Sequence, residues 1–78
     1  MSPEQCKAAR AMLNLSQGQL AKLSGVAEST IIPFEKSQRR PHNSTLDRLR
    51  IALENAGVEF IPANGGGAGV RLTSGKRQ

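Results

Sequence analysis

Five basic residues, Lys36, Arg39, Arg40, Arg48 and Arg50, fall within fifteen positions that hold one acid, Asp47. Such a cluster binds phosphates, because each phosphate neutralised by a cation releases condensed counterions. The whole chain agrees in sign, with a formal net charge of +5 over 78 residues and a pI near 10.4. A solvated basic face has the same composition. What lifts this cluster above that reading is its place directly after a short helical segment. Other chemistry finds little material. One cysteine and one histidine exclude an intramolecular disulfide and a four-ligand Cys/His zinc site. His42 has no second histidine and no carboxylate pair beside it, so catalysis is not expected and no cofactor or metal is implied. Cys6 reads as a small core residue, since a redox-sensing thiol needs an exposed, electropositive setting. With Phe34 and Phe60 as the only aromatic residues, base stacking on single-stranded DNA or RNA is disfavoured.

The elements that must hold the cluster are short. Ser2-Pro3-Glu4-Gln5 carries a capping box with proline at the first helical position and opens a helix over about Pro3 to Asn14. Cys6, Ala9 and Leu13 line its inner face, with Gln5 and Lys7 pointing elsewhere. Ser16 with Gln19 forms a second capping box, and Leu20, Ala21 and Leu23 supply the buried side of the helix it starts. Ser24-Gly25-Val26 is a turn, Gly25 suiting a positive φ and Val26 dropping into the core. A third helix spans about Glu28 to Lys36, with Ile31 and Phe34 inward and Glu28, Ser29 and Ile32 on the other face. Ala27 stands at its N-cap, where a hydroxyl would add a bond of about 1 kcal/mol. Pro33 lacks the N–H that would reach the Ser29 carbonyl, so a kink, a short helix or a local 3₁₀ stretch is expected. After a loop over Ser37 to Asn43, a fourth helix runs from about Ser44 to Ala56. Leu46, Leu49, Ala52, Leu53 and Ala56 lie on one side, and Gly57 ends it.

Beyond Gly57 the pattern changes. Val58-Glu59-Phe60-Ile61 is rich in strand formers, Asn64 to Gly69 is a glycine-rich loop, and Val70-Arg71-Leu72 alternates as a second strand. No Lys-Ser/Thr follows the glycines, so this is not a P-loop. A lone hairpin is marginal in water and must pack on the fourth helix or pair with its counterpart in a second copy. The expected organisation is a four-helix domain over 1–57, a hairpin over 58–72 and a disordered basic tail over 73–78.

The stretch Leu15 to Pro41 resembles the helix-turn-helix of the Cro/CI-type (XRE) family of bacterial and phage transcription regulators. Ser16, Gln17, Leu20, Ala21, Gly25, Val26, Thr30, Ile31, Glu35 and Pro41 match at the family's spacing, and the resemblance covers about Pro3 to Ala56. It implies a mainly α, lambda-repressor-like fold of four helices, here with a short C-terminal β-hairpin. It implies base reading in the major groove by Glu28, Ser29 and Ile32, and phosphate contacts from Gln17, Thr30, Lys36, Arg39 and Arg40. It implies a structural ion pair between Arg10 and Glu35. The expected function is a dimeric repressor on a palindromic operator of double-stranded DNA. Val58, Phe60, Ile61, Val70 and Leu72 are the dimerisation candidates. Pro33 stands where the family usually places a polar reading side chain. The alternative is therefore an antiactivator or antitoxin-like protein that grips a transcriptional activator or toxin through the same surface. With no long apolar run and no secretory signal pattern, the expected place is the cytoplasm, away from membranes.

Overall fold

A computed structural model describes residues 1–73. Four helices, α1 (Pro3–Leu13), α2 (Gln17–Ser24), α3 (Glu28–Glu35) and α4 (Asn43–Ala56), precede an antiparallel hairpin of β1 (Val58–Ile61) and β2 (Gly69–Leu72). This is the mainly α architecture expected.

Both capping boxes form. Ser2 Oγ accepts from the Gln5 N–H while Gln5 Oε1 accepts from the Ser2 N–H, and Ser16 and Gln19 repeat the exchange at α2. These bonds satisfy donors that every helix start leaves without an internal partner. The other ends close through left-handed residues. At α1, Asn14 takes φ 59°, its N–H bonding Ala11 O, with the Leu15 N–H reaching back to Arg10 O. At α3, Ser37 takes φ 60°, its N–H bonding Phe34 O, and the Gln38 N–H reaches Pro33 O at 2.9 Å. Both are Schellman closures. Helix α2 stops at Gly25, φ 71°, with its N–H on Ala21 O.

One core gathers the four helices and β1: Cys6 and Ala9 of α1, Leu20 of α2, Ile31 and Phe34 of α3, Leu46, Leu49 and Leu53 of α4, and Val58 of β1, with Val26 from the turn. The hairpin folds back on its own chain, with β2 against α1 and β1 against α4. Val58 is buried beside the leucines, and Phe60 and Val70 pack on the same core. The Thr73 N–H donates to Gly57 O at 2.7 Å. Gly57 itself ends α4 at φ 126°, open to glycine alone without strain. Glu59 and Arg71 pair across the outer face of the hairpin at 2.8 Å.

Several expectations need correction. Gln5 points inward: its Nε2 donates to Gly69 O at 3.0 Å and Ile61 O at 3.4 Å, so one side chain staples α1 to the loop end of the hairpin. Leu23 is 57% exposed and does not join the buried side of α2. Helix α4 begins one residue earlier than expected, with His42 at its N-cap, and Ala56 is exposed. Gly69 belongs to β2, opposite Ile61, and the loop before it. Pro33 lies inside an uninterrupted eight-residue α3, so of the three expected outcomes the short helix holds. Ser29, whose carbonyl Pro33 cannot reach, is an exposed residue. Of the tail expected over 73–78, Thr73 is tied to Gly57, and the remainder lies outside the described residues.

Ala27 has the extended backbone of an N-cap, φ −62° and ψ 142°, and no side-chain bond to offer. Ala27→Ser supplies that acceptor without moving the chain. It should raise stability by about 0.5–1 kcal/mol, read as an upward shift of a few degrees in the thermal midpoint; no shift would show that the α3 start is already satisfied by water.

Candidate nucleic-acid interface

The carboxylate of Glu35, the last residue of α3, is 3% exposed and collects donors from two other helices. Arg10 of α1 grips it twice, Nε to Oε2 at 2.8 Å and Nη2 to Oε1 at 2.6 Å, and a further Arg10 N–H reaches Leu15 O at 3.1 Å. Gln17, the first residue of α2, donates from Nε2 to Oε1 at 3.0 Å. The Cys6 thiol donates to Oε2 at 3.2 Å. The ion pair implied by the resemblance is therefore formed. Burial pushes the Glu35 carboxyl up, but the hydrogen bonds from Arg10, Gln17 and Cys6 and the Arg10 charge outweigh it and hold the group below its usual range. The same surroundings push the Cys6 thiol up to about 12, chiefly through burial and then through the bond to Glu35. A thiol so buried and protonated is an inert core group.

Around this anchor stand the exposed candidates. Glu28 and Ser29 are exposed on the first turn of α3, and Ile32 and Thr30 are half-buried beside them. The Glu28 carboxylate leans over the first turn of α2: a Cβ built on Gly18 would lie 3.7 and 3.8 Å from its two oxygens and 3.8 Å from Ser16 Oγ. Lys36, Arg39 and Arg40 are exposed on the loop that leaves α3. The two arginines flank a shallow cleft floored by Phe34 and Pro3. The Schellman turn at Ser37 closes α3 and starts the loop that carries these cations.

The five-cation cluster of the sequence does not stay together. Arg50 turns along α4 to Glu54 at 2.9 Å and Asp47 at 3.5 Å, and Arg48 lines a separate groove with Leu23 and Ile51 between α2 and α4. Only the loop cations adjoin α3. Gln17 is also more committed than expected, since its amide nitrogen is already bonded to Glu35. That bond leaves one amide N–H and the side-chain oxygen available to an outside group. Of the hairpin residues, Val58 is buried in the chain's own core, while Leu72 is 39% exposed.

Two helices joined by a glycine turn, the second carrying an exposed polar face and followed by a basic loop, have the form of a helix-turn-helix DNA-binding module. A helix-turn-helix family model matches residues 7–56. The chain belongs to that family, the Cro/CI (XRE) type. A search of curated proteins finds no match. The family is one of DNA-binding regulators and is generally non-enzymatic. Among the described residues no helix is long and apolar enough to cross a membrane, and no cluster of His, Cys, Asp or Glu is arranged to hold a metal.

Glu35 gives a signed pH test. Its folded pKa is depressed, so its stabilisation is complete above the unfolded glutamate value of about 4.3 and is lost as pH falls through the lower folded value. Glu35→Gln leaves the Arg10 charge unpaired and should cost about 3 kcal/mol at pH 7. In thermal or urea unfolding the gap between the two proteins should narrow towards pH 3. A gap that stays constant with pH would mean that Glu35 is not held ionised by these donors.

Proposed function

We propose that this DNA-binding regulator is a homodimeric repressor that reads a two-fold related operator with α3. In this reading Glu28, Ser29 and Ile32 meet base edges in the major groove. Gln17, Thr30, Lys36, Arg39 and Arg40 hold the flanking phosphates. The observation that carries it is an exposed face on α3, a helix anchored at its end by the Arg10–Glu35 bond and followed directly in the chain by the exposed cations Lys36, Arg39 and Arg40. Ser29 donates to a base or a phosphate, Glu28 accepts from a cytosine amino group, and Ile32 meets a thymine methyl. Pro33 contributes its ring edge only, so fewer bases are read directly from this helix.

Dimerisation fits the free edges of a two-stranded sheet, which offer unpaired backbone groups to a second copy. With Val58 turned into the core, backbone edge pairing together with exposed Leu72 is the arrangement the hairpin supports. Two copies would place their α3 helices in successive major grooves about 34 Å apart. Bound across a promoter in the cytoplasm, such a dimer blocks transcription.

Three measurements test this. Purified protein should prefer duplex from its own upstream region over a scrambled duplex by about 10³ at roughly 150 mM salt. Weak, salt-labile and sequence-indifferent binding would contradict specific recognition and turn the reading to a protein partner, an activator or toxin held on the apolar Ile32–Pro33 face. Changing Arg39 and Arg40 together to Ala should lower the slope of log affinity against log salt by about 2. An unchanged slope in a folded variant would place both arginines off the DNA. Sedimentation equilibrium should give twice the mass of the chain, and a monomer throughout the micromolar range would exclude the dimer.

A further inference from the structure

The capping box of α2 uses the N–H groups of Ser16 and Gln19, and the Leu20 N–H bonds Ser16 O. The N–H groups of Gln17 and Gly18 remain directed out of the helix end. Beside this turn stands the Glu28 carboxylate, 3.7 and 3.8 Å from the point a Gly18 side chain would occupy. Glycine at 18 leaves that space open, and Glu28, first residue of α3, fills it with negative charge. The first turn of α2 holds no acid of its own. In the DNA-binding reading, Gln17 on this same turn meets a phosphate.

Resting on the DNA-binding reading above, we propose that Glu28 is a specificity-determining residue that works by exclusion. It weakens binding to every duplex and releases that penalty most fully where a cytosine amino group faces it. Two like charges some 4 Å apart in solvent repel enough to lower affinity roughly five-fold. A phosphate moving towards the Gln17 and Gly18 donors meets this repulsion whatever the sequence. In the major groove a carboxylate finds its best match in the N4 amino group of cytosine; adenine sets the N7 acceptor beside its N6 amino group, guanine presents only acceptors, and thymine an acceptor and a methyl group. A hydrogen bond from cytosine draws the carboxylate away from the α2 turn and towards the base. The wrong base leaves it against the phosphate, unpaired. Discrimination by a repulsive element adds to whatever attraction the correct site provides.

The test compares wild type, Glu28→Gln and a charge control, Glu4→Gln, in binding to a randomised duplex pool at two salt concentrations, followed by selection and sequencing of bound DNA. Glu4 lies on the hairpin side of the molecule, lining a cleft with Ala68 and Val70, so it reports the effect of net charge alone. Glu28→Gln should bind the unselected pool about five-fold more tightly than Glu4→Gln does. Its selected sites should lose one cytosine in each half-site that the wild type enriches. If Glu28→Gln binds the pool no better than the control, or keeps the same cytosine, the role given to Glu28 is wrong while the DNA-binding reading stands. If neither wild type nor variants bind duplex at low salt while circular dichroism shows them folded, the DNA-binding reading falls, and the role of Glu28 with it.

Discussion

The Glu35 carboxylate ends the third helix and accepts hydrogen bonds from Arg10 and Cys6 of the first and Gln17 of the second. A buried charge is costly unless its lone pairs are filled, and here they are filled from three directions. The geometry of the recognition motif follows from that requirement. Helix α3 has only eight residues, contains a proline and lacks a side-chain N-cap, so its own propensity cannot hold it in place. Its position comes from Ile31 and Phe34 in the core and from Glu35 fixed between its neighbours. Gln17 shares the same anchor, which ties the start of α2 to the end of α3.

The outer face shows what the anchor makes possible. Helix α3 presents Glu28 and Ser29 to solvent, and beyond the left-handed Ser37 the chain exposes Arg39 and Arg40, with Lys36 exposed just before it. The Pro33 carbonyl, far from idle, closes that turn by accepting from Gln38. A residue that costs the helix one internal bond thus takes part in ending it at the place where the basic loop must begin. The hairpin is part of the same body, held by Val58 in the core, by Gln5 across its loop end and by the Thr73–Gly57 bond at its open end.

Much of this was legible in the residues. The two capping boxes, the turn at Gly25, the end at Gly57 and the inward Ile31 and Phe34 follow from local chemistry and helical spacing, and they hold. The Arg10–Glu35 pair came through family resemblance, since no local rule links positions 25 apart. What escaped is tertiary. Gln5 reads as a cap residue, and its second task appears only when the hairpin folds across α1. Leu23 has the spacing of a core residue but lies at the open edge of the α2–α4 contact, in the groove with Arg48 and Ile51. Arg48 and Arg50 are neighbours of the loop cations in sequence, yet the rotation of α4 carries them to another face. The lean of Glu28 over Gly18 depends on the crossing of two helices, and no pattern within either one encodes it.

The central claim is that DNA meets the first turns of α2 and α3 and the loop after α3, and not the hairpin or the Leu23–Ile51 groove. Titrating ¹⁵N-labelled protein with a short duplex and following the amide resonances tests it most directly. Shifts concentrated at Gln17 and Gly18, Glu28 to Ile32 and Lys36 to Arg40 are predicted. Shifts concentrated on Leu23, Ile51 and the hairpin, with α3 unmoved, would contradict the account.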